Sequence, residues 1–155
     1  MITNTHTAVR NNTPINVWIV DDDDSVRWVL EKALQRAEMN VRSFSAPAAA
    51  LEALGANGTG LPDVLITDIR MPGMNGLEFV ARLEKLGISL PVIVITAHAD
   101  LDSAVAAYKS GAFEYLPKPF DIDEAVSLVR RAALASTKAS ADDSADDSVI
   151  SGMIG

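Results

Sequence analysis

Four consecutive aspartates, Asp21 to Asp24, directly follow an apolar run, and a fifth, Asp68, closes another. Thr96 ends a third run, and Lys118 stands a short step beyond a fourth. Carboxylates gathered in one place repel one another and stay together only around a cation. Oxygen ligands without cysteine or clustered histidine select Mg²⁺ or Mn²⁺. A lysine ammonium and a threonine hydroxyl beside such a cation would supply a charge and a donor to three phosphoryl oxygens. Taken singly, each residue has an ordinary use. An Asp run caps a helix, Asp68 starts a turn, Thr96 suits a strand end, and Lys118 solvates a surface. Their shared position, at the ends of apolar runs, is what argues for one phosphate-handling site.

The elements that would carry them alternate regularly. Strands are expected at Ile15–Val20, Val41–Phe44, Val64–Thr67, Val92–Thr96 and Phe113–Leu116. The runs VWIV, VLIT and VIVIT are apolar without clean alternation, as parallel strands buried on both faces are. Helical spacing puts Val26, Val29, Leu30, Ala33 and Ala37 on one face, then Leu101, Ala104, Val105 and Tyr108, then Ile122, Ala125, Val126 and Val129. Pro47 suits the first turn of the second helix, and Gly58 and Gly60 end that region. Gly73 and Gly76 break the loop after the third strand, and Asp121 with Glu124 reads as a capping box for the last helix. Five strand–helix alternations imply an α/β fold with a doubly wound, five-stranded parallel sheet. In such sheets ligands bind at the carboxyl ends of the strands, where the polar residues fall.

The 155 residues suit one domain, and 48% hydrophobic content is enough for a packed core. A flexible extension is expected over 1–14, the folded domain over 15–136, and an acidic linker with the start of a following module over 137–155. The formal charge is −8; setting aside 137–155 (four Asp, one Lys) and 1–14 (one Arg) leaves −6 on the domain. A surface of that sign repels nucleic-acid phosphates, so no direct nucleic-acid binding is expected. No apolar run approaches the roughly 18 residues of a membrane span, and residues 1–14 lack the apolar stretch of a signal peptide. With no cysteine there is no disulfide frame, and the cytoplasm is the expected compartment.

The stretches VWIVDDDDSVRWVLEKAL, PDVLITDIRMPGMNGLEF and LPVIVITAHADLDSAVAAYKSGAFEYLPKPFDIDEAV resemble response-regulator receivers, and more narrowly those of the NtrC family of nitrogen-regulatory activators. The resemblance covers roughly residues 15–135. It implies the flavodoxin-like strand order 2-1-3-4-5 and a two-component switch that is not a conventional enzyme. Asp68 matches the acceptor of a phosphoryl group from a sensor histidine kinase. Asp22 would touch Mg²⁺ directly and Asp21 through water, and Arg70 would lend its main-chain carbonyl. Asp21 and Asp22 are chosen from the four because they directly follow Val20 and set Arg27 in register, leaving Asp23 and Asp24 to cap and begin the first helix. Thr96 matches the switch hydroxyl, Tyr115 the switch aromatic and Lys118 the phosphate-pairing lysine. The Lys118–Pro119 bond is expected to be cis.

A phosphatase of the haloacid-dehalogenase type is the rival, with Asp22, Asp24 and Val26 as its first motif, Thr96 and Lys118 as the next two, and Asp121 with Asp123 as the last. Against it, DIRMPGMNG has no role there and no cap insertion is present. A receiver with a dead site is a second rival, although every site residue is present. Phosphorylation is expected to draw Thr96 inward and Tyr115 after it, biasing the face of the fourth helix, fifth strand and fifth helix. That face could also hold a homodimer. After the low-complexity ASADDSADDS, VISGMIG turns apolar again. In similar activators an Ile-Gly step opens an ATPase module, so an ATPase and a helix-turn-helix domain are expected beyond Gly155.

Overall fold

A computed structural model describes residues 14–55, 61–97 and 112–135. The strands are β1 (Asn16–Val20), β2 (Asn40–Phe44), β3 (Val64–Asp68), β4 (Val92–Thr96) and β5 (Glu114–Pro117). The helices are α1 (Asp24–Arg36), α2 (Pro47–Gly55) and α3 (Gly76–Lys85), followed by a C-terminal helix over 122–135. All strand pairings are parallel and the order is β2-β1-β3-β4-β5, the flavodoxin-like arrangement. The helix expected around Leu101, Ala104, Val105 and Tyr108 lies outside the described residues. So do Gly58, Gly60, most of the expected N-terminal extension and the acidic linker.

The sheet separates two apolar layers. Trp18, Val20, Leu65 and Val94 pack with Phe79, Val80 and Leu83 of α3 and with α2 on one side. Val17, Ile19, Ile66, Ile93 and Ile95 pack with Leu30 and Leu34 of α1 and with the C-terminal helix on the other. Successive residues of β1, β3 and β4 therefore alternate between two cores, which is why their sequences do not alternate. Phe79 is fully buried, and covering such a side chain contributes roughly 1.5–3 kcal/mol.

The helix faces depart from the expected ones in two places. On α1 the fully covered residues are Leu30 and Leu34 with Ala33 nearly so, while Val29 is half-buried. On the C-terminal helix Ala125, Leu128, Val129 and Ala132 form the buried face, and Ile122 is 44% exposed. Ile122 opens the helix and lines the open groove between it and α1.

Local chemistry fixes the ends. Asp23 caps α1, its side chain accepting from the N–H of Ser25 (2.8 Å) and Val26 (3.2 Å). Asp24 in the first turn and Arg36 in the last suit the helix dipole. Pro47 begins α2 as expected. The Asp121 side chain accepts from Asp123 N–H at 3.2 Å, a simple cap in place of the expected reciprocal box. A full capping box instead opens α3, between Asn75 and Glu78. The Lys118–Pro119 peptide is cis.

Candidate functional site

Three strand ends and one loop deliver polar groups to a single edge of the sheet. β1 stops where Asp21 N–H donates to Phe44 O (3.1 Å), which ties the main chain of the first acidic residue to the end of β2. Asp21 is fully buried, Asp68 is 7% exposed and Asp22 is exposed. One oxygen from each of these three carboxylates falls within 4.8 Å of the other two. Thr96, buried at the end of β4, accepts through its carbonyl from the Lys118 N–H at 2.6 Å, which ties the hydroxyl-bearing and ammonium-bearing residues together. The Lys118 ammonium lies 3.9 Å from Asp68 Oδ1.

The first carboxylate has unequal oxygens. Asp21 Oδ1 accepts from Asp23 N–H at 2.9 Å, while buried Oδ2 has no partner among the described residues. Burial is the main reason its pKa rises from 3.8 to about 6; Asp68 and Asp22 push the same way, and Asp23 N–H and Lys118 oppose. Asp68 is raised as well, again chiefly by burial. Lys118 and the backbone N–H groups of Ile69 and Arg70 pull it back. Desolvated, mutually repelling carboxylates with an orphan oxygen suit a hard divalent cation, which would satisfy that oxygen and offset the repulsion.

Arg27 turns back from α1 to donate to Asp21 O at 2.6 Å, and its other nitrogen pairs with Asp24. Asp24 is therefore held on the helix by Arg27 and stands outside the three-carboxylate group, so the phosphatase-type pair of Asp22 and Asp24 is not assembled. Asp121 and Asp123 belong to the cap of the C-terminal helix. Arg70 is exposed two residues after Asp68. Half-buried Tyr115 lies on β5 opposite Val94, two positions from the Thr96–Pro117 pair and hence on the Thr96 side of the sheet.

One positioning residue escaped the sequence reading in this role. Gly76 N–H donates to Ile69 O (2.8 Å), and a Cβ on Gly76 would lie 2.4 Å from Asp68 O. The start of α3 is thus pressed against the strand end that carries Asp68. The signal was a glycine eight residues after an aspartate, meaningful only once the loop is folded.

The fold and this acidic edge define a response-regulator receiver. A family model, the response regulator receiver domain, matches residues 17–130, and the chain belongs to that family. It is a receiver of the NtrC type: it is 58% identical over 116 residues to the DNA-binding transcriptional regulator NtrC of Escherichia coli (strain K12), covering 75% of this chain and 24% of that protein. It is 38% identical over 117 residues to the C4-dicarboxylate transport transcriptional regulatory protein DctD of Rhizobium meliloti, covering 76% and 25%. The solution structure of the BeF₃-activated NtrC receiver domain superposes with a TM-score of 0.65 at 54% identity, covering 77% of this chain and 94% of that one. The chain spans about a quarter of the length of these curated relatives. Among the described residues no helix is long and apolar enough to cross a membrane.

Proposed function

We propose that this chain is a Mg²⁺-dependent phosphoryl switch, with Asp68 accepting the group from a phosphohistidine of a sensor kinase. The observation that carries the reading is the group Asp21, Asp22 and Asp68, with the Lys118 ammonium 3.9 Å from Asp68. Asp21, Asp22, Asp68 and the carbonyl of Arg70 would hold the metal, which when bound supplies positive charge against the phosphoryl oxygens. An Asp68 oxygen attacks phosphorus in line; the new O–P bond forms as the N–P bond to the kinase histidine breaks. Lys118 and the Thr96 hydroxyl then face the equatorial oxygens. Thr96 moving toward the phosphoryl group would draw Tyr115 after it and shift a two-state equilibrium. The acyl phosphate hydrolyses slowly, making the domain a timed switch.

Residues 15–136 would form this receiver, with 137–155 linking it to ATPase and DNA-binding modules, a reading supported by a relative of which the matched stretch is only 24%. The test is intact mass after treatment with a small phosphodonor. Wild type should gain one phosphoryl group only with Mg²⁺, and Asp68→Asn none. Equal labelling of Asp68→Asn would remove Asp68 as the acceptor.

A further inference from the structure

α1 and the C-terminal helix lie side by side on one face of the sheet, and between them runs an open groove of about 870 Å³. Its floor is apolar: Trp28, Val29, Ile122 and Val126 line it, with Trp28 59% and Ile122 44% exposed. Its rim is basic, carrying Lys32 and Arg36 from α1 with Arg130 and Arg131 from the C-terminal helix. Among the lining residues Asp123 alone is acidic. Four of the thirteen basic residues of a chain of net charge −8 thus meet in one groove with exposed apolar surface. An occupant must be acidic and must offer apolar groups beside its charges.

Such a segment follows in the same chain. Asp142, Asp143, Asp146 and Asp147 stand just beyond the C-terminal helix, and Val149 and Ile150 come directly after them. We propose that residues 141–150 dock in this groove, the aspartates on the basic rim and Val149 and Ile150 against Trp28 and Ile122. The reach is sufficient. Seven residues separate residue 135, the last described in the helix, from Asp142 and can span up to about 24 Å when extended. Arg130 and Arg131 lie about 6–8 Å back along the helix from that end, at 1.5 Å per residue. A tethered ligand also binds at a high effective concentration, so modest contacts suffice. A second copy of this face is a poor occupant, since it would set four cations against four.

The experiment uses the full 155-residue chain, which has no cysteine, with a nitroxide on Ser148→Cys. The label should broaden the Trp28 indole N–H signal. The broadening should be lost at about 0.5 M NaCl, where screening shortens the Debye length to roughly 4 Å. It should also be lost in the D142N/D143N/D146N/D147N variant. Acrylamide quenching gives a label-free check, because Trp18 is only 6% exposed and Trp28 dominates the response; the four-Asn variant should lose the protection of Trp28 seen in wild type. No broadening at Trp28, or broadening unchanged in the four-Asn variant, overturns the proposal. Broadening of unlabelled chains mixed with labelled ones would assign the groove to a second copy and overturn it equally.

Discussion

Replacing Asp21 by asparagine should make the metal-free protein more stable at neutral pH. The carboxyl is fully buried, its Oδ2 has no partner among the described residues, and its pKa rises from 3.8 to about 6. A raised folded-state pKa means that the unfolded chain holds the ionised form more comfortably. The associated stability is present below about pH 3.8 and is lost as pH rises through about 6. At about 1.36 kcal/mol per pH unit, the loss approaches 3 kcal/mol by pH 7. Asparagine keeps the acceptor for Asp23 N–H and has no charge to desolvate. Urea unfolding of wild type and Asp21→Asn in chelator, from pH 4 to 7.5, should show a gap below about 1 kcal/mol at pH 4 that widens toward about 3 kcal/mol at pH 7. A variant less stable than wild type at pH 7, or a gap that does not change with pH, would refute the argument.

Mg²⁺ should stabilise the wild type by mass action, by about 2.7 kcal/mol at a hundredfold excess over Kd, and so raise its melting temperature; Asp22→Ala should lose most of that response in a thermal scan. Lys118→Met should move the Asp68 carboxyl further up, since the ammonium is the first of the groups holding it down; a ¹³C carboxyl titration reads the shift. Gly76→Ala should lower the melting temperature, because its Cβ meets the Asp68 carbonyl at 2.4 Å, whereas Gly55→Ala, with open space around it at the last position of α2, should leave it unchanged or slightly higher, the gain being at most the helix-interior value of about 1 kcal/mol in stability.

The five strands, the two-sided burial of β1, β3 and β4 and the polar strand ends were legible because apolar runs and their polar terminators are local features of the chain, whereas the sheet order followed from the family resemblance. The choice of Asp21 and Asp22 from four aspartates agrees with the burial and capping now observed: Asp21 is covered, Asp23 caps the helix, and Asp24 pairs with Arg27. What sequence could not give was the degree of burial of Asp21 and its orphan oxygen, which depend on strands distant in the chain. The box of Asn75 and Glu78 was present in the letters and overlooked beside the more obvious Asp121 and Glu124. Glu38 was beyond reach. It takes φ 66° to close α1, with its N–H on Gln35 O and Met39 N–H on Leu34 O. Glycine does the same job for α3 at Gly87, and a glutamate gives no such warning.

The strand order divides the acidic edge into two halves of different stiffness. β1 and β3, which carry the acids, each have hydrogen-bonded neighbours on both sides, whereas Lys118 follows β5, the last strand of the sheet. Local opening begins where ladder bonds are fewest. Amides of β1 and β3 should therefore be the slowest to exchange with solvent, and β5 should open more often. The carboxylates would then act as an anvil of fixed geometry, while the ammonium that would register a bound phosphoryl group follows the edge strand and the Thr96 hydroxyl, on β4 between β3 and β5, stands between the two. Under the proposed function, a chemical event on the rigid half would be read out as motion at the edge strand without loosening the core.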